Sequence, residues 1–119
     1  MISYEVLISI LVIHWLADFA LQTHDQASQK STNIGMLLRH TLTYSLVWVW
    51  GAWLLMDTID QILLFVQITF ITHTITDFFT SKFVKMCFDK EDYHNGFVVI
   101  GADQILHYVQ LFSTYYLLN

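Results

Sequence analysis

Four stretches of mostly apolar residues divide the chain: roughly Tyr4–Gln22, Gly35–Met56, Gln61–Ser81 and Gly96–Leu118. Each approaches the roughly 20 residues that a helix needs to cross a bilayer. Polar segments separate them: a loop at Thr23–Asn33, a tight acidic turn Asp57-Thr58-Ile59-Asp60, and a second loop at Lys82–Asn95. Connections this short make consecutive helices antiparallel neighbours. No proline interrupts them, so the helices should lack proline kinks. The pattern predicts an all-α fold, an integral membrane four-helix bundle forming a single domain over residues 1–119.

Composition sharpens this picture. Of the 119 residues, 55% are hydrophobic and 13% charged, and the mean hydropathy is +0.52. Five Lys/Arg and ten Asp/Glu are few for the surface of a soluble domain. The lone Cys87 excludes an internal disulfide and a cysteine-based zinc site. The net charge of −5 leaves no basic patch for nucleic acid. The first apolar run lacks a positive leader and a small-residue cleavage site, and it carries His14 and Asp18. It therefore reads as a retained helix rather than a signal peptide.

The cations set an orientation. Lys30 and Arg39 flank the first loop, while Lys82, Lys85 and Lys90 lie in the third. Both loops fall on one side of a four-span bundle, which the positive-inside rule makes cytoplasmic. The termini are then outside, as for a protein of the bacterial inner membrane. Tyr4, Trp50, Trp53, Tyr115 and Tyr116 fall at the outer helix ends, where aromatic belts form.

Against this apolar background the ionisable residues stand out. His14, Asp18, His40, His73, Asp77, Asp103 and His107 all lie within the predicted spans. Each costs about 2.5–3.5 kcal/mol on insertion scales, so partners or a metal must offset the penalty. In the first, third and fourth helices a histidine and an aspartate stand four apart at 14/18, 73/77 and 103/107, which puts each pair on one helix face. At 1.5 Å per residue, His14 and His73 lie roughly 12 Å from the cytoplasmic end, and all seven fall in the inner half of the membrane. Imidazole beside carboxylate is a ligand pair for zinc, manganese or iron.

HWLADFALQT from His14 also matches HTITDFFTSK from His73 at His, Asp and the following Phe. The chain therefore reads as two tandem helical hairpins related by a pseudo-twofold along the membrane normal. Matched ligands from two halves, and more donors than one tetrahedral ion requires, point to two ions, zinc or manganese before iron. A network of His–Asp hydrogen bonds between helices is the alternative. Gln22, Gln26, Ser28 and Lys30 are placed to cover such a site. Arg39 stands at the inner interface, Gln104 one step round the helix from the last pair, and His24, His94 and Cys87 in loops.

His-x-x-x-Asp-Phe-x-x-Gln at 14–22, a histidine at the head of the second helix, His-x-x-x-Asp at 73–77 and Asp-Gln-x-x-His at 103–107 together resemble a group of small bacterial and phage membrane proteins. That group is catalogued as domain of unknown function 3307. The resemblance covers nearly the whole chain and implies a four-helix membrane protein without an assigned activity. More loosely, the pattern is similar to inner-membrane metal-dependent hydrolases, by analogy only.

The function expected from these residues is a metal-dependent hydrolase acting on a lipid or phosphate-bearing amphiphile at the cytoplasmic leaflet. The seven His and Asp residues are its ligand candidates. Asp103 or Asp18 would act as general base, and Arg39, Lys30, Gln22 and Gln104 would hold the substrate. The alternatives are a divalent-cation or proton transporter, a haem-binding electron carrier and a holin. Membrane lipid is the expected partner, nucleic acid is not, and association with further copies is left open.

Overall fold

Side-chain caps set the beginning of every α-helix in the computed structural model, which describes residues 1–119 and contains no strands. Ser3 accepts from the Val6 amide and opens α1, Tyr4–Trp15. The following turn, Leu16–Ala20, is π-helical, with the Leu21 amide bonded to the Leu16 carbonyl at 2.9 Å. Thr23 and Gln26 then form a capping box for a short α2, His24–Gln29. Asn33 caps α3, Ile34–Leu55. Thr58 and Gln61 form a second capping box at the head of α4, Ile59–Asp89. Asp92 caps α5, Tyr93–Leu118.

Three details correct the sequence reading. There are five α-helices rather than four, because the capping box nucleates α2 within the expected first loop. The third loop shrinks to three residues, since α4 continues to Asp89 and α5 begins at Tyr93. Ser81, Val84, Cys87 and Phe88 are half-buried while Lys82, Phe83, Lys85 and Met86 are exposed. The segment thus keeps a helical period, and its outward charges mimic a loop only in linear order. Glu91 closes the turn in the left-handed region, at φ 58°. Finally, His24 and His94 lie in the first turns of α2 and α5, exposed, rather than in loops.

α4 is the spine. At 31 residues it is about 46 Å long, matching the 47 Å long axis of the molecule. It packs against α3 on one side and α5 on the other, while α1 and the π turn lie against α3 and α1 also touches α5. An apolar core of Ile10, Ile13, Trp48, Ala52, Met56, Phe65 and Leu111 fills the end near the α3–α4 connection, where the Trp48 and Phe65 rings sit 5.3 Å apart.

Toward the other end the interior is polar. Of the 24 buried residues, 12 are polar or charged, so the buried phase is not the more apolar one. The exposed faces carry Leu42, Leu46 and Trp53 on α3, Leu64, Ile71 and Ile75 on α4, and Ile105 and Val109 on α5. One helix, Ile59–Asp89, is by itself long and apolar enough to cross a membrane.

Candidate metal centre

All seven ionisable residues singled out in the sequence are buried in the polar half of the bundle. The π turn carries Asp18, α3 brings His40, α4 brings His73 and Asp77, and α5 brings Asp103 and His107, with His14 one turn before Asp18 on α1.

Four of them form a compact donor set: Asp18, His40, His73 and Asp77 each offer an atom within 4.8 Å of the others. His40 Nε2 lies 3.1 Å from Asp18 Oδ1 and 3.2 Å from Asp77 Oδ2. His73 Nε2 lies 3.6 Å and 3.7 Å from the same two oxygens, and the two Nε2 atoms are 3.2 Å apart. Corners of a tetrahedron with metal–ligand bonds of about 2.0–2.1 Å stand about 3.3–3.4 Å apart, and the observed spacings bracket that value. Asp18 Oδ1 is also buried without a hydrogen-bond partner. An anionic oxygen left so carries a large desolvation penalty unless a cation faces it. The four side chains therefore fit a divalent metal.

Asp18, Asp103 and His107 form a second, three-donor group that shares Asp18 with the first. His107 Nε2 lies 3.2 Å from both Asp103 Oδ1 and Asp77 Oδ1. Its Nδ1 faces His73 Nδ1 at 3.1 Å.

His14 belongs to neither group, although its sequence position puts it among the expected ligands. Gln104 directs its amide nitrogen at the Asp18 and Asp103 carboxylates, each at 3.1 Å. Its oxygen therefore accepts from His14 Nε2 at 2.7 Å. That tautomer leaves His14 Nδ1 as the acceptor for the Tyr44 hydroxyl at 2.8 Å, so both ring nitrogens are engaged. Matching sequence does not produce matching use here, since His73, the repeat partner of His14, faces the donor set.

Nothing in the apolar pattern singles out Tyr44. It is fully buried and stacks on the His73 ring, with centroids 3.7 Å apart and planes 12° from parallel. The available signal is its place one turn beyond His40 on the same face of α3. Thr80 is equally silent in the sequence, and its hydroxyl donates to Asp103 Oδ1 at 2.6 Å.

A cavity of about 470 Å³ lies between the π turn and α2 on one side and α4 and α5 on the other. Asp18, Asp103 and Gln104 line it together with Gln22, Lys30, Lys85 and the apolar Phe19, Val84, Phe88 and Ile100. Gln22 Oε1 and Ser81 Oγ are buried there without partners. Lys30, expected to hold a substrate anion, instead donates to Asp77 Oδ2 at 2.8 Å. Burial opposes its charge, but Asp77 and Asp18 outweigh that and raise its pKa above the ordinary lysine value. Lys85 pairs with Asp89 at 2.6 Å. Arg39 is exposed and lies outside the cavity wall. Gln26 is spent on the α2 capping box.

A family model described as Protein of unknown function (DUF3307) matches residues 6–119. No curated protein and no solved structure matches the chain.

Proposed function

The chain belongs to the DUF3307 family, and from its site we propose a membrane-embedded, metal-dependent hydrolase that acts on a phosphate-bearing amphiphile at the cytoplasmic leaflet. The observation that carries this is the position of the donor set, which sits against the wall of a cavity at the polar end of the bundle. Asp18 belongs both to the four-donor group and to the cavity wall. Toward the opposite end the bundle is filled by Trp48, Phe65, Leu111 and Ile10, all fully buried. That packing supports a site reached and left from one face, and it weighs against a transport path.

The membrane assignment draws support from the inverted polarity of the bundle. Along the middle of α3 and α5 many of the residues that lower the hydropathy point inward: His40, Thr41, Tyr44, Ser45, Asp103, His107 and Thr114 are buried, while the exposed Arg39, His94 and Asn95 lie near the helix starts. The outward faces are therefore more apolar than the helices as a whole, as lipid requires. The bundle of α1 with its π turn, α3, α4 and α5 then sits in the bilayer with α2 and the α4–α5 turn at the cytoplasmic side.

A divalent ion in such a site supplies water of lowered pKa, near 7, and polarises an ester or phosphoester. The chain's own residues would do the rest. Asp103 lines the cavity, lies outside the four-donor set and is oriented by Thr80 and Gln104. It takes the general-base role, leaving Asp18 as ligand. Gln22 and Ser81, with unpartnered polar atoms, are placed to meet a headgroup.

The test is turnover by detergent-purified protein against dihexanoyl phosphatidic acid and bis-p-nitrophenyl phosphate, with metal content measured in parallel. Asp103→Asn should keep the metal and lose turnover, whereas His73→Ala should lose both. A metal-free wild type, or a metal-loaded one inert toward both probes, counts against the hydrolase. In a Cys87→Ser background, single cysteines introduced by Ile2→Cys and Asn119→Cys should be labelled only from outside the cell. Labelling from the cytoplasm overturns the orientation.

A further inference from the structure

We infer that the centre takes one divalent cation, held by Asp18, His40, His73 and Asp77, and that His107 is a positioning residue for His73 rather than a ligand to a second ion. The inference deepens the metal-dependent reading of this site and rests on it. It departs from the two-ion expectation drawn from the sequence repeat.

The first argument is a chain of hydrogen-bond roles. A ligating imidazole binds through one unprotonated nitrogen and donates from the other. His73 presents Nε2 to the donor set, so its Nδ1 carries the proton. That proton points at His107 Nδ1, 3.1 Å away, which must then be the acceptor. A neutral His107 consequently carries its proton on Nε2, the atom that faces Asp103 Oδ1 and Asp77 Oδ1 at 3.2 Å. A nitrogen donating to carboxylates has no lone pair for a metal.

The second group is short of free donors in other respects. Asp103 Oδ1 accepts from Thr80 and its Oδ2 from Gln104. Asp18 Oδ2 also accepts from Gln104. Of these carboxylate oxygens only Asp18 Oδ1, directed at the four-donor set, lacks a partner; His40 Nδ1 on the ligand ring is also buried without one.

Cobalt(II) titration of chelator-stripped protein in detergent tests the count, with zinc content by mass spectrometry as the second measure. Wild type should saturate at one equivalent with the visible bands of a tetrahedral ion. His107→Ala should still bind one equivalent, with affinity about 10–100-fold lower and shifted bands. His107→Asn should recover most of that affinity, because its carbonyl oxygen can accept the His73 proton. Two equivalents in wild type falling to one in His107→Ala would overturn the inference, as would an asparagine variant no better than alanine. Zero equivalents in wild type removes the metal reading along with it. One equivalent without turnover removes the hydrolase alone and leaves this inference standing.

Discussion

The Lys30 ammonium lies 2.8 Å from Asp77 Oδ2 and ties the end of α2 to the middle of α4, across 47 positions of sequence. Asp77 is buried and Lys30 nearly so, with side-chain exposures of 1% and 16%. Removing one partner of a buried pair leaves the other charge uncompensated, at about 3–5 kcal/mol. Lys30→Met should therefore destabilise metal-free protein by about 3 kcal/mol. With zinc bound the loss should shrink, because the ion supplies positive charge to the same oxygen. Thermal unfolding in detergent, with and without zinc, reads the difference. Equal losses in both states would mean that the ion and Lys30 do not share Asp77.

Tyr44 makes two separable contributions, a hydrogen bond to His14 and a stack on His73. Tyr44→Phe removes only the first and strands the His14 Nδ1 acceptor, at about 1–3 kcal/mol. Its metal stoichiometry should equal that of wild type. Tyr44→Ala removes both and should weaken metal binding as well. A phenylalanine variant that loses its metal would show that the hydroxyl, rather than the ring, controls the site.

Gly96 has no room for a side chain. A Cβ built there would collide with the Phe88 ring, which forms part of the cavity wall. Gly96→Ala should cost about 1–3 kcal/mol through overpacking. Adding Phe88→Ala should relieve that penalty, a coupling that a double-mutant cycle measures. Strict additivity of the two changes would remove Phe88 as the source of the crowding.

Glu91 adopts φ 58° in the turn between α4 and α5. Left-handed backbone costs a non-glycine residue about 1–2 kcal/mol, partly returned as lost chain entropy when glycine replaces it. Glu91→Gly should stabilise the protein by about 0.5 kcal/mol. A measured destabilisation would point to a role for the exposed carboxylate that its contacts do not reveal.

The sequence is most informative where spacing alone decides geometry. Four-residue separations put His73 with Asp77 and Asp103 with His107 on common faces, and the bundle brings those faces together. Spacing does not say which ring nitrogen each histidine presents. His14 therefore reads as a ligand, although Gln104 and Tyr44 occupy both of its nitrogens. Tyr44 itself passes for an ordinary core aromatic, since a phenol in an apolar run carries no charge to flag it. The end of α4 reads as a loop because Lys82, Lys85 and Asp89 crowd the linear sequence, while their helical period becomes visible only beside α5.

The break that ends α1 bears on how such a protein is made. The 12 residues of α1 and the 5 of the π turn cover about 25 Å, short of the roughly 30 Å hydrocarbon layer. They also carry His14 and Asp18, each unfavourable in an isolated helix. On the membrane reading, α1 leaves the ribosome before α4 but is too short to span unaided, whereas α4 qualifies on its own. Commitment to the bilayer would then run against the order of synthesis. Helix α1 would remain at the interface until α3 and α4 offer its histidine and the following aspartate somewhere to go. Biogenesis of the bundle and construction of its centre would become the same event, and a chain that failed to assemble the cluster would present an uninserted α1 to cellular quality control.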